Sequence, residues 1–196
     1  MSVAHYFTIL RILLIPFFSI FYLYPQVMGI STEYLPIVLM IILGICEFSD
    51  LFDGFVARKK NQVTDLGKVM DPMADSITRI TVFFTFTQGI VKLPLLLVLV
   101  FIYREFIVNT LRTLCALKGF ALAARRSGKI KAVLQAASMF FILTLMVLFN
   151  SHVIGIDDLQ HLSFIAVAIV AGYTVLSAVD YFYANRNYIK KALAKN

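Results

Sequence analysis

The feature that most constrains this chain is a set of long stretches without a single Asp, Glu, Lys or Arg: Ile12 to Thr32, Ala132 to Ile156 and Leu159 to Val179. Each is at or beyond the ~20 residues that a helix needs to cross the hydrocarbon core of a bilayer. A soluble domain of this length has no core thick enough to bury three such helices. Composition agrees: 60% of the residues are apolar and 15% charged, against roughly 45–50% and 25% in ordinary globular proteins. The expected class is an all-α integral membrane protein, with one membrane-embedded domain over 1–196. Arg11 precedes an apolar stretch too long and bulky for a cleavable signal peptide, so that stretch is read as structure.

Six transmembrane helices are expected, roughly over 9–25, 34–59, 70–91, 94–118, 131–150 and 160–184, with a short interfacial helix over 1–8. Pro16 should bend the first. The net charge of +7 is unevenly spread. Segments 25–34, 88–94 and 150–162 hold Lys92 as their one Lys or Arg, while the opposite segments hold the rest of the basic cluster, from Arg11 to Lys195. The positive-inside rule makes the basic side cytoplasmic, with both termini there. Basic residues beside membrane helix ends suit anionic lipid headgroups rather than nucleic acid, and Arg125 and Arg126 are read that way. Cys46 and Cys115 are expected as small buried hydrophobes. His152 and His161 fall on the outer side and receive no role.

The helices are of two kinds. Helices two, three and four have apolar runs that are short of a full span: Tyr34–Cys46, Ile80–Val91 and Leu93–Tyr103. They must continue through charged turns that cannot face lipid, so these turns should line a polar cavity.

The charged turns carry the chemistry. They read Asp50-Leu-Phe-Asp53-Gly54-Phe-Val-Ala57-Arg58, followed after a gap by Gly67, Asp71 and Asp75. On a helix, Asp50, Asp53, Gly54 and Ala57 stand at i, i+3, i+4 and i+7, one stripe. Gly67, Asp71 and Asp75 stand at i, i+4 and i+8 on the next helix. A short turn around Lys59–Leu66 would bring the stripes face to face. Each carboxylate costs roughly 2.5–3.5 kcal/mol at a helix centre on insertion scales, and mutual repulsion adds to that unless cations intervene. Oxygen ligands without His or Cys select Mg²⁺ or Mn²⁺. Two such ions would balance four carboxylates, and two-metal sites serve in-line displacement at phosphorus. The competing assignment is salt bridges to Arg58, Lys68 and Arg79, or helix capping, which is preferred for Asp65 alone.

The pattern Asp-x2-Asp-Gly-x2-Ala-Arg-x8-Gly-x3-Asp-x3-Asp resembles, without a gap, the signature of the CDP-alcohol phosphotransferase family. The resemblance implies a six-helix, usually dimeric fold and a reaction in which a CDP-linked lipid gives its phosphatidyl group to an alcohol and releases CMP. It implies that Asp50, Asp53, Asp71 and Asp75 hold two divalent cations, with Asp75 also the general base. It further implies that Asp53, Gly54, Ala57, Arg58, Thr64 and Gly67 form the pocket for the CDP-lipid.

Further along the chain stand Arg104-Glu105, Leu111-Arg112, Lys118-Gly119 and Ser127-Gly128-Lys129-Ile-Lys131 leading to Gln135. These, with Thr8-Ile-Leu-Arg11 and Pro16, resemble the phosphatidylglycerophosphate synthase branch. That implies CDP-diacylglycerol as donor and glycerol 3-phosphate as acceptor, the latter held by Arg112, Lys129 and Lys131. It also implies a homodimer in a bacterial cytoplasmic membrane with the site facing the cytoplasm. The branch usually carries Pro-Asn where this chain has Ala4-His5, and His5 is read as an interfacial residue. Rival readings are another acceptor (inositol phosphate, serine or phosphatidylglycerol), a membrane prenyltransferase, and a non-enzymatic cation carrier. A carrier would need polar residues across the whole membrane, whereas the outer halves of helices two and three are nearly all apolar.

Overall fold

The structure is a computed structural model. It describes the backbone of residues 3–59, 65–117, 119 and 125–193, and the side chains of residues 8–49, 72–115, 117, 119 and 125–189. The described residues form α1 (Val3–Leu23), α2 (Leu35–Lys59), α3 (Asp65–Thr85), α4 (Leu95–Leu117), α5 (Arg126–Asn150) and α6 (Ile156–Leu193). The chain is therefore all-helical in its described elements, as expected. Residues 3–8 run directly into α1, so the separate helix expected over 1–8 is not a distinct element there. Pro16 lies inside α1 and Pro72 inside α3.

Among the described residues, α5 and most of α6 are long and apolar enough to cross a membrane. The apolar parts of α1 and α2 are shorter, Thr8–Leu23 and Leu35–Ser49. Large apolar side chains such as Leu13, Val133, Ile169, Leu176 and Val179 are more than half exposed. In water such surface would be costly, and in hydrocarbon it is at home.

The helices gather into two compact units. The first comprises Met1–Leu93 and Met139–Ser163, the second Pro94–Ser138 and Phe164–Asn196. In the first, α1 packs against α2 and α3, and α2 also meets α3. The reason is visible in spacing. Thr8, Arg11, Ile15, Phe18 and Tyr22 are buried along one face of α1, and Leu35, Leu39, Leu43 and Cys46 along one face of α2. On α3 the buried face is Ala74, Thr78, Val82 and Thr85. Phe86 takes edge contacts from Phe18 and Tyr22, with ring centres at 5.8 and 5.6 Å.

α3 stops at Thr85, short of the expected residue 91, because the following turn is pinned. Tyr22 donates to the Gln88 carbonyl at 2.9 Å, and its oxygen accepts from the Val91 amide at 3.3 Å. Gly89 adopts φ +65° in that turn, and a Cβ there would lie 2.8 Å from the Tyr22 ring, so only glycine fits. At the start of α6, Asp158 accepts from the Gly155 amide at 3.1 Å, a capping arrangement that begins the helix at Ile156.

In the second unit the buried faces are Val98, Phe101, Arg104, Glu105, Val108 and Cys115 on α4, and Val167, Val170, Ala171, Thr174, Ser177, Tyr181 and Asn185 on α6. α6 runs to Leu193, beyond the expected 184. α5 starts at Arg126, before the expected 131. That earlier start is anchored: Arg125 binds Asp180 of α6 through Nε at 2.9 Å and Nη2 at 3.0 Å, and Ser127 Oγ donates to the same carboxylate at 2.6 Å. Arg125, expected among the lipid headgroups, has a protein partner instead.

Candidate active site

The backbone of α2 continues unbroken through residue 59, and α3 runs from Asp65. The spacing of Asp50, Asp53, Gly54 and Ala57 is thus a helical stripe in fact, and so is that of Gly67, Asp71 and Asp75. Both helices belong to the first unit, where they meet. The side chains of Asp50, Asp53, Ala57, Arg58, Asp65 and Asp71 lie outside the described residues, and Thr64 lies wholly outside them.

Asp75 is described, and its surroundings hold a partner that sequence spacing does not reveal. Arg11 of α1 donates through Nη1 to Asp75 Oδ1. The arginine side chain is 2% exposed and the carboxylate 26%. A charge at that depth in an otherwise apolar helix persists only with a partner. Arg11 is therefore more than a member of the basic cluster expected at the cytoplasmic side. Its position on the buried stripe of α1, between Thr8 and Ile15, is the sequence signal that points to this. One turn beyond Asp75, Arg79 reaches Glu47 of α2 at 4.0 Å. Arg79 thus has a glutamate of α2 beside it, and three helices contribute to a charged layer around Asp75.

Among the described side chains no trio of His, Cys, Asp or Glu is placed to hold a metal ion. Three of the four expected ligands are outside those side chains. The donor set itself fits a hard divalent cation: carboxylates on facing helices, one of them aligned by a guanidinium.

The second unit holds the expected acceptor residues. Lys131 is buried and donates to Glu105 Oε1. Arg104 donates to the same oxygen through Nη1 at 3.1 Å. Arg112 stacks over the Tyr181 ring, 5.5 Å from its centre. Lys129 is exposed. Lys129 and Lys131 are two positions apart on α5, which sends them to different faces. They are not gathered at one point, and the buried cation that stands with Lys131 is Arg104. Glu105 and Arg104 are visible in the sequence as a dipeptide, but nothing in the sequence alone gives either a role.

At the other end of α1, a cavity of about 700 Å³ is lined by Tyr22, Tyr24, Gln26, Glu33, Asn150 and His152 among others. Arg11 and Tyr22 are three helical turns apart, roughly 16 Å along the axis. That cavity is therefore separate from the Asp75 end of the unit.

Comparison with known proteins bears on this arrangement as a whole. The chain is 32% identical to the CDP-diacylglycerol–glycerol-3-phosphate 3-phosphatidyltransferase of Rickettsia typhi, over 95% of this chain and 98% of the relative. It is 33% identical to the protein of the same name from Bacillus subtilis, over 93% and 94% of the two chains. For the Treponema pallidum protein of that name the identity is 28%, over 93% and 87%. The family profile described as CDP-alcohol phosphatidyltransferase matches residues 1–179, a span that takes in α1, the motif on α2 and α3, and the cation cluster of α4 and α5. The chain belongs to the CDP-alcohol phosphatidyltransferase family.

Proposed function

We propose that this protein transfers the phosphatidyl group of CDP-diacylglycerol to sn-glycerol 3-phosphate, giving phosphatidylglycerophosphate and CMP. The observation that carries the reading is the motif from Asp50 to Asp75, standing on two helices at helical spacing, in a chain alike over nearly its full length to enzymes of that name.

In this reading Asp50, Asp53, Asp71 and Asp75 hold two Mg²⁺ or Mn²⁺ ions, which when bound offset the charge of the donor's pyrophosphate. Asp53, Gly54, Ala57, Arg58, Thr64 and Gly67 hold the CDP group, the small residues giving room and Arg58 an N–H fork for phosphate oxygens. A hydroxyl of glycerol 3-phosphate attacks the phosphorus of the phosphatidyl group. The new P–O bond forms as the bond to the CMP oxygen breaks, and Asp75 takes the hydroxyl proton. Arg11 fixes the orientation of that carboxylate. Lys131 and Arg112 attract the acceptor's phosphate, with Arg104 in place of the exposed Lys129.

The same proposal covers the setting: one catalytic domain crossing a bacterial inner membrane six times, the metal site toward the cytoplasm, and a homodimer as the assembly. The long apolar α5 and α6, the shorter apolar stretches of α1 and α2 and the one-sided basic residues support it. CMP release from CDP-diacylglycerol, assayed separately with glycerol 3-phosphate, inositol phosphate, serine and phosphatidylglycerol, tests it. Release is expected with glycerol 3-phosphate alone, and no release with it would sink the reading.

A further inference from the structure

The buried face of α5 in the second unit carries more polar groups than a pair of phosphate-binding cations needs. Lys131, Gln135 and Ser138 follow at i, i+4 and i+7, and all three are buried. One turn earlier, Gly128 lies beside Arg104: a Cβ at Gly128 would meet Arg104 Nη2 at 3.6 Å. α4 answers with Arg104 and Glu105, both at least nine-tenths buried. Glu105 Oε1 accepts from Arg104 and from Lys131, so one carboxylate oxygen aligns two cations.

Two buried atoms in this cluster meet no partner among the described residues: Arg104 Nε, a donor, and Gln135 Oε1, an acceptor. Leaving either alone is unfavourable, and their needs are opposite. A phosphate ester without other polar groups answers the guanidinium and offers nothing to the amide oxygen. A phosphorylated polyol answers both, with anionic oxygens for Arg104 and a hydroxyl donor for Gln135.

We propose that Gln135 is a specificity-determining residue that accepts a hydrogen bond from the non-reacting hydroxyl of a phosphorylated polyol acceptor, and that Glu105 is the positioning residue that turns Arg104 and Lys131 toward the acceptor's phosphate. This rests on the acceptor reading above and narrows it, because it makes the middle hydroxyl of glycerol 3-phosphate a recognised group rather than a bystander.

The test uses the full chain in nanodiscs, CDP-diacylglycerol as donor, and two acceptors. These are glycerol 3-phosphate and propane-1,3-diol monophosphate, which lacks the middle hydroxyl and keeps the rest. The unaltered protein is expected to favour glycerol 3-phosphate by roughly tenfold in kcat/KM, the worth of one well-made hydrogen bond in a buried site. Gln135→Leu should erase that preference by raising KM for glycerol 3-phosphate, with KM for CDP-diacylglycerol unchanged. Gln135→Glu keeps an acceptor oxygen at the same reach and should keep the preference. Glu105→Gln should raise KM for both acceptors alike and leave the donor KM alone. An unaltered protein without the preference, or Gln135→Leu that retains it, overturns the inference. So does parallel loss with both acceptors in Gln135→Leu, the mark of a purely structural glutamine. If Gln135→Leu does not accumulate, Gln135→Asn, one methylene shorter, takes its place with the same expected loss of preference. Absence of CMP release by the unaltered protein with glycerol 3-phosphate is a different failure, that of the proposed function itself.

Discussion

In the first unit a single arginine on an apolar helix, Arg11, is committed to a carboxylate; in the second a glutamate, Glu105, is shared by two cations. Both clusters sit at depths where an unpaired charge is costly. They differ in which sign is in excess. The first unit carries the four motif aspartates, so what it lacks is positive charge, which in the proposed function a divalent cation would supply. The second gathers Arg104 and Lys131 around one carboxylate, with Arg112 over the Tyr181 ring of the same unit, so what it lacks is an anion. The sign of the majority tells the sign of the ligand. On this view Arg11 and Glu105 do the same job in opposite polarity: each is the minority charge that aligns the functional majority.

The largest effect should come from removing what balances the carboxylates. Chelation of divalent cations with EDTA should abolish CMP release, and Mg²⁺ or Mn²⁺ should restore it. Asp75→Asn should lower kcat by about 10²–10⁴-fold, the usual worth of a positioned base, while donor binding survives. Arg11→Gln should lower kcat less, since the carboxylate remains, and Arg11→Lys should recover part of the loss by supplying a cation to Asp75. Equal losses in Arg11→Gln and Asp75→Asn would break the parallel, because Arg11 would then be acting on the substrate itself.

The next effect concerns stability. Glu105→Leu leaves Arg104 and Lys131 facing one another in a buried place, and removing one partner of a buried pair costs about 3–5 kcal/mol. Arg11→Leu leaves a carboxylate that is 26% exposed and that a bound cation would neutralise, so it should cost less. Thermal unfolding in detergent with Mg²⁺ present measures both. A larger loss of Tm for Arg11→Leu than for Glu105→Leu would invert the comparison.

Much of the first unit's design is legible in the order of its residues. The motif's spacing depends on helical geometry alone, and helical geometry is local, so Asp50 to Ala57 and Gly67 to Asp75 can be read as stripes along the chain. What is not legible there is the partner of each charge. Arg11 and Asp75 are 64 positions apart, and Glu105 and Lys131 are 26 apart. Periodicity says that such residues face inward without saying what they face. Element ends escape the sequence for a related reason. α3 ends at Thr85 because Tyr22 of α1 holds the next turn, and α5 begins at Arg126 because Asp180 of α6 holds its start. Both are contacts between helices distant in sequence. Charge alone groups Lys129 with Lys131, although a two-residue step along a helix separates their faces.

The smallest effect sharpens the comparison by supplying a control. Arg125 and Asp180 also form an ion pair in the second unit, with two parallel N–H bonds and Ser127 as a third donor. Its geometry is better than that of either buried cluster, yet both side chains are 40% exposed. Exposure to water and salt removes most of the worth of such a pair, and neither residue has a part in the proposed chemistry. Arg125→Gln should therefore lower Tm only slightly, by an amount that shrinks further in high salt, with KM for both substrates unchanged. Glu105→Leu, by contrast, should lose stability to the same degree at low and high salt, because salt does not reach a buried pair. If Arg125→Gln were as damaging as Glu105→Leu, depth would not be what separates the clusters. The majority charge of a cluster would then say nothing about the sign of its ligand.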